Sequence, residues 1–237
     1  MIKLISRATL LTLITCCSAL ISRAQLGYDY SQYELGAGIG LNSVSGAAQT
    51  QTLTPTVNLN FTYNTSPYVN FVFEMQLGRI AGGDSLTTST GRQFTADIDA
   101  FVFRGQFQLG EILDYGQSPF KNALKNFYIS AGIGYVVSHI TSINRYSINP
   151  AGQYTPGDLN TQEPMIPFRI GYEFKIFNKY RQPACKIDFG YNYNKVLSGN
   201  IDGFETGQSE AYTQFSIGVK FAIGGAIISY RKPIPYN

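Results

Sequence analysis

Apolar and polar side chains alternate with a period of two over most of the chain, the pattern of strands whose two faces meet different surroundings. Tyr33, Leu35, Ala37, Ile39 and Leu41 alternate with Glu34, Gly36, Gly38, Gly40 and Asn42. Seven later segments repeat the pattern, with apolar faces centred on Leu59, Phe73, Phe103, Ile133, Ile170, Phe189 and Ile217. Eight strands are predicted, an even number. The fourth is irregular, because Phe94, Ala96 and Ile98 take the opposite parity to Phe101 and Phe103 and stand beside Asp97 and Asp99. A bulge there, or a strand leaving the apolar zone, would explain it.

The direction of the apolar face separates two architectures. A lipocalin-like barrel would hold it inside, around a ligand; a membrane barrel would turn it onto lipid and keep a polar lumen. The interior of eight strands is only wide enough for side chains or one small ligand, and the apolar faces carry too many Phe, Tyr, Ile and Leu side chains to fit. The opposite face suits a lumen. It carries Glu34, Glu74, Glu173 and Asp188 with Arg104, Arg169, Lys175, Lys186 and Lys220, and glycines at 36, 38, 40, 132, 134, 171, 190 and 218. Five apolar positions per strand also match the 9–11 residues with which tilted strands cross a bilayer. The expected fold class is all-β: an eight-stranded antiparallel transmembrane β-barrel with a polar, charge-paired lumen.

Connection lengths agree with that reading. Residues 43–52, 80–93, 139–164 and 197–210 form long connections; 64–67, 110–126 and 178–184 form shorter ones. Membrane barrels place long loops outside the cell and short turns in the periplasm. Within 110–126, Ser118 can cap a short helix with Pro119 at its first position, an interfacial turn with Phe120, Ala123 and Leu124 on one face. Tyr33, Tyr63, Tyr68, Phe127, Phe174, Tyr191 and Tyr193, near strand ends, are expected at the membrane interfaces, where Tyr and Phe must serve without Trp. Tyr146, Tyr154 and Phe204 are the aromatics expected to stand exposed on the loops.

Residues 1–24 read as a secretory signal peptide. Lys3 and Arg7 precede an apolar stretch, residues 8–21, and Ser22-Arg23-Ala24 forms a small-x-small cleavage site. The apolar stretch is too short to span a bilayer; an uncleaved anchor and lipoprotein processing at Cys16 or Cys17 are the alternatives. The remaining domains are the barrel, 25–223, and a short periplasmic tail, 224–237. The whole chain has 18 Lys and Arg against 15 Asp and Glu. Lys3, Arg7 and Arg23 leave with the signal, so the mature chain balances and shows no basic patch for nucleic acid. Cys185 is then the one cysteine left, without an intrachain partner. With 17 Tyr and 16 Phe the chain is too aromatic for a disordered one. No cofactor, metal site or catalytic site is expected.

Ser216-Ile217-Gly218-Val219-Lys220-Phe221-Ala222-Ile223 on the last strand resembles the signal by which outer-membrane barrels address their assembly machinery. Its informative positions are Ser216, Gly218, Phe221 and Ile223, in the pattern polar-x-Gly-x-x-aromatic-x-apolar. Residues 25–237 as a whole resemble the small outer-membrane β-barrel proteins of the Bacteroidota type, in the broad porin-like superfamily. The resemblance implies residence in a bacterial outer membrane, lipid as permanent neighbour, and the barrel assembly machinery as partner during biogenesis. It implies no substrate.

Four classes of function remain open. Lumen charges of both signs point to a lumen plugged by ion pairs, in a structural or surface-interaction protein whose loops meet an extracellular or envelope partner. The glycine-rich inner face is compatible with a narrow pore for small solutes or ions. A component of a larger envelope complex is a third class. A lipid A-modifying hydrolase is the fourth, since His139-Ile140-Thr141 resembles the His-x-Ser pair of lipid A deacylases, with Thr in place of Ser and no acid evidently placed to orient the His.

Overall fold

The computed structural model describes residues 27–46, 50–84, 90–113, 115, 118–149, 151–179, 183–197, 200–206 and 210–231. The signal peptide expected at 1–24 lies outside them. Eight long strands follow one another: β1 Gly27–Ser45, β2 Thr54–Asn64, β3 Val69–Gly83, β4 Gln93–Gln108, β5 Phe127–Asn144, β6 Asn160–Phe177, β7 Pro183–Val196 and β8 Ala211–Arg231. Each pairs antiparallel with the next. β8 pairs antiparallel with β1, from Gly27↔Arg231 to Ser45↔Ala211, and closes the barrel. Closure gives each of the eight long strands a partner on both sides. A two-residue strand, Gln51–Thr52, continues the β2 side upward against Ala81 and Gly82.

The ends of the barrel differ. The first residue of β1 and the last of β8 share one end with the β2–β3 turn, the β4–β5 connection and the β6–β7 turn. That β4–β5 connection holds a short 3-10 turn, Leu109–Glu111, and one helix, α1, Pro119–Leu124. Ser66 organises the β2–β3 turn, its Oγ accepting the N–H groups of Tyr68 (3.1 Å) and Val69 (3.0 Å). Strand pairing reaches further at the opposite end than the alternation of the sequence suggests. β3 runs to Gly83, β5 to Asn144 and β6 back to Asn160, so parts of 80–93 and 139–164 are wall, not loop. The wall there turns a polar face outward, with Arg79 and Asp97 paired at 2.8 Å, which hides it from an apolar alternation rule.

Two more boundaries move. β4 keeps one unbroken register with β3 from Val69↔Phe107 to Gly83↔Gln93; the bulge sits on β5, opposite Thr95 and Ala96. Phe94, Ala96 and Ile98 therefore point inward as true inner-face residues of a strand that has left the apolar zone. At the chain's other end, residues 224–231 are not a tail. β8 continues through Gly224 and Gly225, both at positive φ, to Arg231, with a register shift against β1 between Ser31 and Tyr33. The glycine pair supplies the backbone geometry of a bulge and interrupts the alternation without ending the strand. The β5–β6 ladder skips from Ala131↔Phe168 to Gly134↔Met165, across Pro167, which has no N–H to give.

Candidate functional site

Alternation sends every second side chain into the lumen, and there the nine ionic residues meet. At mid-barrel Lys220 Nζ lies 2.6 Å from Glu173 and 3.1 Å from Asp188. Lys186 lies 2.7 Å from Glu34 and 3.8 Å from Glu173. Arg169 faces Asp188 at 3.3 Å, and Arg104 faces Glu74 at 2.6 Å. Lys175 stands at the short-turn end, donating to the Pro67 carbonyl and to Gln108 Oε1, both at 2.7 Å, over the Tyr68 ring. The other eight are buried.

Neutral donors and acceptors fill the space between these charges. The Tyr128 hydroxyl donates to Asp188 (2.6 Å) and accepts from Arg169 Nε (2.6 Å). Gln106 and Gln108 donate to Glu173 at 3.0 and 2.5 Å, so one carboxylate on β6 gathers groups from β4, β7 and β8. Gln214 Oε1 accepts from Asn58 and Asn192, while its Nε2 donates to Asn42 at 3.1 Å. Inner-face parity places all of these residues, but no motif marks them as partners.

The inner-face glycines make the crossing side chains possible. A β-carbon at 190 would lie 2.3 Å from Arg169 Cζ, one at 171 would lie 2.5 Å from the Tyr128 hydroxyl, and one at 36 would lie 2.9 Å from Lys220 Cγ. A void beside Arg169, Asp188 and Lys220 measures about 10 Å³, at the limit for a single water. Gly190→Ala should therefore push the Arg169 guanidinium off Asp188 and lower unfolding stability by about 1–3 kcal/mol. Around outward Gly105 a β-carbon would meet Phe71 Cε1 at 4.0 Å, so Gly105→Ala should be neutral when both variants are unfolded in urea. Equal effects of the two would show that Arg169 does not depend on the space at 190.

Toward the long-loop end the lumen changes character. Phe94, Ala96, Ile98, Ala100 and Val102 of β4 pack with Val44, Ile80, Val136, Met165, Val196 and Tyr212 into a buried apolar cluster. The Tyr212 hydroxyl joins the two zones, donating to Gln76 Oε1 (3.0 Å), and Gln76 in turn donates to Glu74 (2.8 Å). The β7–β8 loop turns into the mouth above this cluster and adds Ile201 and Phe204 to it. Asp202 Oδ1 accepts the Phe204 N–H (2.9 Å), and Gly203 takes φ +75, where a side chain would also crowd Ile140 and Ile143. Ser138 donates to the Ile201 carbonyl (2.8 Å), and Glu210 Oε2 accepts the Ile201 N–H (2.6 Å).

Several sequence expectations are corrected here. Phe204 is not an exposed loop aromatic; it is fully buried, edge-on to Phe94. Tyr68 is not at the membrane interface but buried in the opposite mouth against Tyr115 and Tyr230, because its parity points inward. Tyr146 and Tyr154 do stand exposed, their rings tilted against each other across an isolated bridge of the β5–β6 loop with centres 5.5 Å apart. Of the four expected assembly-signal residues, Phe221 is exposed and Ile223 half-buried on β8. Ser216 points inward, accepting from Arg169 (2.9 Å), and Gly218 passes close to Gly38 of β1. Cys185 is half-buried on β7. His139 faces outward, its Nδ1 2.7 Å from Asn160 Oδ1, while the Thr141 hydroxyl donates to the Thr95 carbonyl (3.1 Å).

The outer wall is the mirror image of the lumen. Leu35, Ile39, Leu59, Phe73, Phe103, Ile133, Ile170 and Phe215 are all exposed, Ile133 by 71%.

No family model matches the chain, and no curated protein sequence matches it. Solved structures do. Neisserial surface protein A is 12% identical, with a TM-score of 0.49, over 83% of this chain and 99% of its own. Ail, the attachment invasion locus protein of Yersinia pestis, is 11% identical, with a TM-score of 0.46, over 81% and 98%. The outer membrane protein OprG from Pseudomonas aeruginosa is 9% identical, with a TM-score of 0.37, over 84% and 100%.

Proposed function

We propose that this chain is an integral outer-membrane β-barrel protein, non-enzymatic, with a lumen plugged by its own side chains and recognition carried by the four loops at one end. The wall supports the membrane reading. From Val69 to Leu77 the outward residues of β3 are all apolar. At ~3.3 Å per residue and a tilt near 40° that is a belt about 20 Å tall, close to the ~25 Å apolar band of membrane barrels. Large apolar side chains turned outward on every strand would be costly in water and are the favourable choice in lipid. The Bacteroidota-type kinship, and the role of Ser216, Gly218, Phe221 and Ile223 as assembly signal, rest on the sequence resemblance.

The filled lumen carries the rest of the proposal. Ion pairs and amides occupy the middle, Tyr68 and Lys175 one mouth, and the apolar cluster with Ile201 and Phe204 the other. This filling of the described lumen supports a barrel closed to small solutes, and the exposed Tyr146–Tyr154 pair supports the loop end as the surface offered to partners.

The test is planar-bilayer recording on the purified protein, with insertion checked by the gel mobility of unboiled against boiled samples. Inserted protein should give no steps. Steady, reproducible conductance from inserted protein would sink the plugged reading and put a pore in its place.

A further inference from the structure

The membrane reading has a consequence at the short-turn end of the barrel. We infer that helix α1 is a lipid anchor in the β4–β5 connection, with Phe120 among acyl chains and Lys121 at the level of the headgroups. This rests on the barrel spanning a bilayer.

Local chemistry makes the helix. Ser118 Oγ accepts the Lys121 N–H (3.5 Å), Pro119 opens the first turn, and the Lys125 N–H closes the last on the Lys121 carbonyl. Six residues are too few to be stable alone, so its position depends on what it is tied to. Two bonds tie it to the wall. β5 begins at Phe127, opposite Tyr172, but β6 runs on to Phe177. In the space beside that extra length of β6, the Glu173 N–H donates to the Asn126 carbonyl (3.2 Å). The Tyr172 hydroxyl, on the outward parity of β6, donates to the Ala123 carbonyl (2.7 Å). The Tyr172 bond therefore holds the Ala123 backbone on the outward side of β6. Phe174 and Ile176 are the next outward positions of β6 beyond this tether, so the apolar outward face runs on past Tyr172.

Phe120 is 72% exposed, as bare as Ile133 on the belt. Ile112, earlier in the same connection, is 67% exposed. Phe120 shares a helix face with Ala123 and Leu124 by i, i+3 and i+4 spacing. The neighbouring cations divide: Lys125 turns inward over the Tyr115 ring at 5.0 Å, while Lys121 is exposed. An exposed apolar ring on a helix tethered to the outward side of the wall, with a cation one residue on, suits a segment settled about 5–10 Å into the boundary between headgroups and acyl chains.

The chain contains no Trp, so a single substitution gives a one-site fluorescence reporter. Phe120→Trp, Phe103→Trp on the belt and Tyr146→Trp on the loop end are placed separately in phosphatidylcholine vesicles whose acyl chains are brominated near the headgroup or at mid-chain. Folding of each is checked by gel mobility. Phe120→Trp should emit at short wavelength and lose intensity more to shallow than to mid-chain bromine, while Tyr146→Trp responds to neither. If Phe103→Trp is quenched and Phe120→Trp behaves like Tyr146→Trp, the helix faces water or a soluble partner and the anchor is overturned. If Phe103→Trp also escapes quenching, the membrane reading itself falls, and the anchor with it.

Discussion

Arg104→Met should lower the free energy of unfolding by about 3–5 kcal/mol, the cost of stranding a buried carboxylate. Arg104 and Glu74 are both buried and 2.6 Å apart. Gln76 also donates to Glu74, but a neutral amide cannot replace a cation. The double variant Glu74→Met/Arg104→Met should regain most of the loss, since a buried pair exchanged for well-packed apolar residues is often neutral or better. The coupling between the two sites would then be large for neighbouring residues. Urea titration in detergent micelles, followed by far-ultraviolet circular dichroism, reads all three variants. The experiment also bears on the lumen. Water running past the pair would screen it to the 0–1 kcal/mol of an exposed ion pair. A single-variant loss below about 1 kcal/mol would thus count against a filled lumen as well as against the pair.

The second large effect is on pH, at the long-loop end. Burial and the adjacent Asp202 carboxylate push the Glu210 carboxyl from its ordinary 4.5 up to about 9. Between those values the folded protein keeps a proton that the unfolded chain has released. Docking of the loop is therefore strongest below about pH 4.5, weakens as pH climbs above that value, and has lost the whole contribution once pH passes about 9. At about 1.36 kcal/mol per pH unit, its ceiling is on the order of 6 kcal/mol. Above pH 9 the Glu210 carboxyl gives up its proton, and Ile201 and Phe204 should leave the apolar cluster. A Phe204→Trp reporter should shift to longer wavelength between pH 8 and about 10, and Glu210→Gln in that background should abolish the shift. An unchanged emission, or the same shift with Gln at 210, would show that Glu210 does not hold the loop.

Period-two parity was enough to sort Glu74, Arg104, Arg169 and Lys220 onto the inner face and Phe73, Phe103 and Ile133 onto the outer one. Parity is local and each strand carries its own. Partnership is not local: Glu173 meets Gln106, Lys186 and Lys220 only because four strands curve round a common axis. Nothing in residues 165–175 names those partners. Phe204 fails for a related reason. A lone aromatic in a polar loop looks exposed until the apolar inner face of β4 is recognised, and the opposite parity of Phe94, Ala96 and Ile98 was that face's one local trace. Residues 224–231 escape the alternation because it breaks at Gly224 and Gly225, just past the apolar pattern that closes on Ile223. Here the two glycines bend the strand.

The closing of the wall also governs the order in which this barrel is built. β8 is the last strand made and pairs with both β7 and β1, so until it arrives two open edges face each other across the nascent sheet. It also delivers Lys220 to Glu173 and Asp188. An incomplete sheet thus has unpaired backbone at its rims and an excess of negative charge at its centre, and one strand relieves both. Zipping of the seam and neutralisation of the interior become a single cooperative step, and partly closed forms gain little stability on the way. Since β1 and β8 lie at opposite ends of the sequence, that step is slow in chain-entropy terms, and the slowest folding phase should belong to it.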